Sequence, residues 1–268
     1  MEKEPLNRLI QIAIAAALKA GKAILEVYYS PGFDVEWKED ESPVTIADRR
    51  ASEIIVQELA ASGYPVISEE EVFPPFEERR NWDFLWMVDP LDGTREFVNK
   101  RGDFTVNIAL IEKDHPVIGV VYIPMEGSIY FGGSPIGSYK AIEVDRLSVE
   151  EIIWSALKLP LQHHRDKFTM VGSRSHMNAE TLAFFEKIRI EKGEENVGIV
   201  IRGSSLKMCI VAEGIADLYP RLGHIMEWDT AAGHAICEGA GCVVSQWDGS
   251  RLRYNKIDFY QPWFRVSK

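Results

Sequence analysis

Phe84-Leu85-Trp86-Met87-Val88-Asp89-Pro90-Leu91-Asp92-Gly93-Thr94 runs five apolar residues straight into a turn that holds two carboxylates. A short apolar run bounded by turn residues is the pattern of a central strand buried on both faces. Gly93 lets the backbone approach a ligand closely, and Thr94 can open a helix whose free N–H groups favour an anion. Carboxylate oxygens are hard ligands suited to Mg²⁺, which keeps positions open for water and substrate phosphate. A metal site and a phosphate cradle thus fit on one turn. In isolation, Asp89 and Asp92 would read as a strand end and a helix cap.

Upstream, residues 6–28 are Ala-rich with apolar residues at helical spacing, and Ser30-Pro31-Gly32 is a stop. A second helix is expected over 44–61 with Thr45 as N-cap, then a short strand over 65–68 leading into Glu69-Glu70-Glu71. Downstream, strand-like runs at 104–111, 117–122 and 129–132 are separated by turn residues, as in an antiparallel meander. Past Gly137 the rhythm changes. Strands are expected at 168–171, 197–201, 216–219 and 242–244, alternating with helices at 179–188, 205–212 and 230–238. The expected class is α/β, an α+β layered sandwich with an antiparallel N-terminal sheet and a mixed or parallel C-terminal sheet. The halves, residues 1–140 and 141–268, meet near 138–147 without a Gly/Ser linker, so they pack tightly with the site between them.

The net charge of −11 excludes non-specific binding to nucleic acid or an anionic membrane, which needs a basic field. It also requires that an anionic substrate be held by metal ions or by a few placed cations. Three cysteines, none in a C-x-x-C frame, read as reduced, buried thiols rather than a disulfide framework or a zinc knuckle. The first residues lack a signal-peptide pattern, and no apolar run reaches membrane-span length. The expectation is a soluble cytoplasmic protein with no integral membrane segment; self-association is left open.

Other acids recur at element ends. Glu69 follows a strand, Asp48 has the spacing of a capping box with Thr45, and Asp229 precedes a small-residue helix. Each alone reads as a solvated face or a cap. Together in one cleft they would repel one another strongly unless cations neutralised them. His163, His164 and His224 read as surface or loop residues and His234 as packed within its helix. The tryptophans read as core, with one able to line the cleft against a base.

These segments resemble the signatures of the inositol monophosphatase superfamily of Mg²⁺-dependent phosphatases. Residues 86–97, from Trp86-Met87-Val88-Asp89-Pro90-Leu91-Asp92-Gly93-Thr94 to Phe97, resemble the first signature. Glu227-Trp228-Asp229-Thr230-Ala231-Ala232-Gly233-His234 resembles the second, and Ser68-Glu69-Glu70 supplies the upstream acid. Ser173-Arg174-Ser175-His176, Gly203-Ser204-Ser205-Leu206-Lys207 and Leu218-Tyr219-Pro220-Arg221 are similar to its bisphosphate-nucleotidase branch.

The resemblance implies a fold of alternating helix and sheet layers. It implies that Glu69, Asp89, Asp92, Asp229 and the Leu91 carbonyl hold two or three Mg²⁺ ions. Asp48 and Thr94 would orient and deprotonate the attacking water. The Gly93 and Thr94 N–H groups would touch the scissile phosphate. Ser173, His176, Gly203, Ser204, Lys207 and Arg221 would line the nucleotide side. The implied substrate is a small-molecule nucleotide bisphosphate, adenosine 3′,5′-bisphosphate, whose 5′-phosphate Lys207 and Arg221 would hold. An inositol or sugar phosphatase with the same metals is the alternative activity, and a silent nucleotide sensor the alternative of another class. A nicotinamide-dependent oxidoreductase lacks the G-x-G-x-x-G it would need.

Overall fold

The apolar run forms a strand that extends over Phe84–Asp92, and its side chains alternate between two cores, as a pleated strand requires. Trp86 and Val88 pack with Ala13, Ala17 and Ile55, while Leu85 and Met87 pack with Cys209, Ala232 and Ile236. A strand flanked on both faces has no polar side to alternate with, which is why its sequence is continuously apolar.

The computed structural model describes residues 3–32, 35–37, 43–174 and 177–268. Helix α1 (Lys3–Tyr28) leads to an antiparallel pair, β1 (Val35–Trp37) and β2 (Pro43–Thr45), then to α2 (Ile46–Leu59), β3 (Val66–Ser68) and α3 (Phe76–Arg79). The central strand is β4 (Phe84–Asp92). It is followed by α4 (Thr94–Val98), β5 (Thr105–Glu112), β6 (His115–Ile123), β7 (Ser128–Gly133), β8 (Gly137–Ala141), α5 (Val149–Ser155) and β9 (Leu157–Lys158). The chain continues with β10 (Phe168–Ser173), α6 (Ala179–Lys192), β11 (Val197–Arg202) and α7 (Leu206–Glu213). It closes with β12 (Leu218–Arg221), α8 (Glu227–Gly239), β13 (Val243–Gln246) and β14 (Phe264–Ser267).

Two main sheets result. The larger has the order β3-β4-β5-β6-β7-β8-β9, antiparallel except where β3 runs parallel to β4. The smaller is mixed, β11-β10-β12-β14-β13, with the first three strands parallel. Helices α1 and α2 cover one face of the large sheet, and α7 and α8 fill the space between the two sheets. On the far side of the small sheet, Phe185 of α6 packs on Met170, Val197 and Leu218. The layers therefore alternate as the sequence leads one to expect. All three cysteines are unpaired and buried in the middle layer.

The large sheet continues past the expected change near residue 140, because β8 and β9 add to its edge as far as Lys158. The elements β1, β2, α3, β8, α5, β9 and β14 lie outside the sequence expectations. β14 binds antiparallel between β12 and β13 and closes the smaller sheet.

Seating α8 on the large sheet depends on a missing side chain. A Cβ at Gly119 of β6 would stand 2.1 Å from the Ala232 carbonyl oxygen of α8. Backbone offers no rotamer escape, so the helix or the strand would have to move. Gly119→Ala is therefore expected to cost at least about 1–3 kcal/mol, the usual range for overpacking. Urea unfolding checks this, and an unchanged midpoint would mean that α8 is not seated there.

Candidate active site

Residues three apart on a regular strand face opposite sides of a sheet. Asp89 and Asp92 escape that constraint because the β4–β5 register slips between them. Asp89 pairs with Asn107 and Asp92 with Thr105, leaving one extra residue on β4. A bulge of this kind bends the strand end and re-aims its side chains. Gly93 then takes φ +93, a conformation costly for any residue with a Cβ, and α4 begins at Thr94.

Asp48 joins this turn from α2. Its Oδ2 accepts from the Thr45 backbone N–H and hydroxyl, both at 2.7 Å, and the Thr45 hydroxyl accepts from Ala47 N at 3.1 Å. The capping box is real, and it occupies one carboxylate oxygen only. The other, Oδ1, accepts from Thr94 Oγ1 at 3.0 Å, and that hydroxyl also lies 3.2 Å from the Leu91 carbonyl. Burial pushes the Asp48 carboxyl up to about 6, against the hydrogen bonds from Thr45.

Asp92 ties the turn to the opposite half of the chain. Its Oδ2 accepts from Ser205 N at 2.6 Å, from Asn107 Nδ2 at 3.2 Å, and lies 2.7 Å from Ser205 Oγ. The Ser205 hydroxyl also lies 2.6 Å from the Asp229 carbonyl and can donate to one of the two at a time. Asp92 thus caps the start of α7, a helix distant in sequence, rather than α4. Asp229 sits in the first turn of α8, where its Oδ2 accepts from Met226 N at 3.0 Å. The neighbouring Glu227, fully buried, accepts from the backbone of Asn255 at 2.5 Å and Lys256 at 3.1 Å and from the Lys256 ammonium. That clamp fixes the rotation of the helix start and so the direction of Asp229.

These supports bring acid against acid. Glu69, Asp89 and Asp229 place ligand oxygens within 4.8 Å of one another. Burial first, then Glu69, Asp92 and Asp229, push the Asp89 carboxyl well above the ordinary range. Burial, then Asp92, lifts Asp229 to about 6. A partly buried all-oxygen donor set, with Asp89 at its buried centre, in which like charges raise proton affinity is suited to a hard dication, which would restore the ionised forms.

A cleft of about 950 Å³ opens over this cluster. Glu69, Asp92, Gly93, Thr94, Ser173, Gly203, Ser204, Lys207, Arg221 and Asp229 all line it, while Asp48, Asp89 and Leu91 support its floor from behind. His176 lies outside the described residues. Of the lining residues, Lys207 and Arg221 are nearly buried, and among the described residues neither forms a salt bridge. The Lys207 ammonium donates to the Ser204 carbonyl, and Arg221 donates to the His224 carbonyl while its Nε finds no partner among the described residues. Burial pushes Lys207 down to about 8, with the adjacent Arg221 adding to the effect.

Several supporting residues were not singled out by the sequence. Asn107 and Ser205 hold Asp92. Thr105 Oγ1 lies 2.6 Å from Ser204 Oγ, and Asp103 accepts from Gly203 N at 3.1 Å and pairs with Arg174 at 2.8 Å. No local spacing signals these partners, because most of the contacts join residues far apart in the chain and the Asn107–Asp92 bond depends on the β4–β5 register. Trp228 lines the cleft as expected of one tryptophan; Trp154 and Trp263, by contrast, are exposed rather than core.

Residues 6–262 match the inositol monophosphatase family. The 3′(2′),5′-bisphosphate nucleotidase CysQ of Escherichia coli strain K12 is 42% identical over 255 residues, covering 94% of this chain and 96% of that protein. Its counterpart in Buchnera aphidicola is 38% identical, covering 99% and 94%. The crystal structure of CysQ from Bacteroides thetaiotaomicron, 46% identical, aligns with a TM-score of 0.88 over 96% of this chain and 95% of that one. The suhB protein of Bartonella henselae, 24% identical with a TM-score of 0.74, shares the fold. With the match running through both sheets and both acidic signatures, this chain belongs to the inositol monophosphatase family.

Proposed function

We propose that this chain is a cytoplasmic, Mg²⁺-dependent phosphatase that hydrolyses the 3′-phosphate of adenosine 3′,5′-bisphosphate to AMP and phosphate. The sulfated nucleotide, 3′-phosphoadenylyl sulfate, fits the same pocket. The observation that carries the substrate is the pair Lys207 and Arg221: two nearly buried cations that line the same cleft as the acid cluster and, among the described residues, form no salt bridge. A bisphosphate answers both demands, one phosphate at the acids through metal and the other at the cations. Likeness to the CysQ nucleotidases supports the same substrate.

The enzymes of this family are metal-dependent, and here the donor set of Glu69, Asp89, Asp92, Asp229 and the Leu91 carbonyl fits two or three Mg²⁺ ions. Bound there, Mg²⁺ supplies Lewis-acid neutralisation of the phosphoryl group. The chain supplies the rest. Thr94 donates its hydroxyl proton to Asp48, which turns the Thr94 lone pairs toward an incoming water, and the water proton passes through that hydroxyl to Asp48. The Gly93 and Thr94 N–H groups hold the scissile phosphate in line with that water. Lys207 and Arg221 grip the 5′-phosphate by charge-assisted bonds, and Ser173, His176, Gly203 and Ser204 line the nucleoside side.

Phosphate release from adenosine 3′,5′-bisphosphate, with Mg²⁺ and with chelator and alongside inositol 1-phosphate, tests the proposal. Mg²⁺-dependent release from the nucleotide at much the higher rate is expected; preference for inositol 1-phosphate would reject the nucleotide assignment.

Asp92→Asn should lose on the order of 10²-fold or more in turnover, as removal of a charge-stabilising group in a site does, while unfolding stays cooperative. Near-normal turnover would overturn the metal assignment. Lys207→Ala should lower kcat/KM for the bisphosphate by about 10–100-fold, the worth of a charged hydrogen bond, and leave monophosphates almost unchanged. Equal losses on both would move the 5′-phosphate elsewhere.

With Mg²⁺ saturating, Asp229 is held ionised by the cation, which leaves Asp48 as the group near pH 6. Raised from 3.8 to about 6, Asp48 is protonated below that value and no longer accepts. Turnover should therefore fall as pH drops through about 6 and level above it. An acid limb confined to the ordinary carboxylate range near pH 4 would remove Asp48 from the proton path.

A further inference from the structure

The other end of α8 gathers a second set of ligand atoms, of different chemistry. His234 and Glu238 are one helical turn apart, and His115 at the start of β6 faces them. Glu238 Oε2 lies 2.9 Å from His115 Nε2, and its Oε1 lies 3.1 Å from His234 Nε2. One donor atom from each of the three falls within 4.8 Å of the others. Along the helix from Asp229, His234 is five residues away and Glu238 nine, about 7.5 and 13.5 Å at 1.5 Å per residue, and none of the three lines the acidic cleft.

The surroundings orient these atoms. The Thr230 hydroxyl donates to the Glu227 carbonyl at 3.0 Å, which leaves its oxygen to accept from the Tyr254 hydroxyl at 3.3 Å. Tyr254 oxygen can then accept from His234 Nδ1–H at 2.9 Å. A proton on Nδ1 puts the lone pair of neutral His234 on Nε2, pointing at Glu238. Burial lowers the pKa of His234, favouring the neutral ring. In that tautomer a cation between Nε2 and the carboxylate satisfies both; in the other, Nε2–H donates to Glu238. The Arg251 guanidinium nearby is engaged by Asp114 at 2.9 Å. His115 and Glu238 are each about a quarter exposed, which leaves a path for an ion and room for a water ligand.

We propose that His115 Nε2, His234 Nε2 and the Glu238 carboxylate form a metal site for a transition-metal dication of the zinc class, clasping the end of α8 to the start of β6. Two imidazoles and one carboxylate with a water in the fourth position are a zinc-type donor set, and imidazole selects such ions over Mg²⁺. The Tyr254–Thr230 chain is the outer support that orients the buried imidazole. The clasp fastens the helix that presents Asp229 to the sheet that presents Asp89.

Mg²⁺ at saturation occupies the carboxylate cleft and leaves this site free, so the two are separable in one experiment. Metal-free chain is loaded with saturating Mg²⁺, then titrated with Zn²⁺ against a chromophoric chelator, and separately with Co²⁺. Wild type should bind one more equivalent of Zn²⁺ than His115→Ala or Glu238→Gln and raise its thermal midpoint on binding. Co²⁺ should give wild type the intense visible band of a four-coordinate site, a readout that needs no variant. Mg²⁺-dependent phosphate release should be the same in all three proteins. Equal Zn²⁺ stoichiometry in wild type and variants, or only the weak spectrum of six-coordinate Co²⁺, would leave the cluster as a hydrogen-bonded His–Glu–His triad and overturn the proposal.

Discussion

Glu69, Asp89 and Asp229 come from three elements, and Coulomb repulsion opposes bringing them together. At 4.8 Å and an effective dielectric of about 20, each ionised pair repels by roughly 3–4 kcal/mol. The fold offsets that with apolar burial on either side of the same strand, where each fully buried large side chain contributes about 1.5–3 kcal/mol. Trp86 and Val88 on one face and Leu85 and Met87 on the other are the residues next to the acids in sequence and are almost fully buried. A cation added to this arrangement relieves the repulsion without moving a side chain. The rigidity of the strand thus serves metal binding, because the acids cannot spread apart when the cleft is empty.

The carboxylates are aimed by ordinary backbone bonding. Asp48 is both a capping residue and the acceptor for Thr94, with one oxygen for each task. Asp92 satisfies the start of α7 and faces the cleft, and Asp229 closes the first turn of α8 while doing likewise. Helix starts leave N–H groups that require acceptors, and a short acid placed there is held in a single direction. Reading such an acid as a cap and reading it as a site are therefore compatible. What separates a capping acid from a working one is the company its second oxygen keeps.

That distinction marks how much of the molecule was legible in the sequence. The strand at 84–88, the Thr45 cap and the alternation after Gly137 follow from periodicity and turn chemistry, and the acids at element ends were visible one at a time. The bulge between Asp89 and Asp92 leaves no mark, since it depends on the register with Asn107 and Thr105. β14 has four residues and β9 two, too few for either to build a periodic signal. The Ser148-to-Glu151 capping box of α5 was present and went unread, because a seven-residue helix offers little amphipathic pattern beside it. His234 and Glu238 have an evident i,i+4 spacing, but His115 reaches them only through the packing of β6 on α8.

Gly119 explains that packing and the shape of the active cleft together. A side chain there would push α8 off β6, and α8 carries Glu227 and Asp229 at one end and His234 and Glu238 at the other. The helix sits between the two sheets as a rigid spacer, set in rotation by the buried Glu227 clamp and in height by contact with a bare backbone. Rigid helices transmit displacement along their length, so a shift at Gly119 would move Asp229 against Asp89 while leaving both residues intact. The separation of the two acids is thus decided as much by the absence of one methyl group on β6 as by the carboxylates themselves.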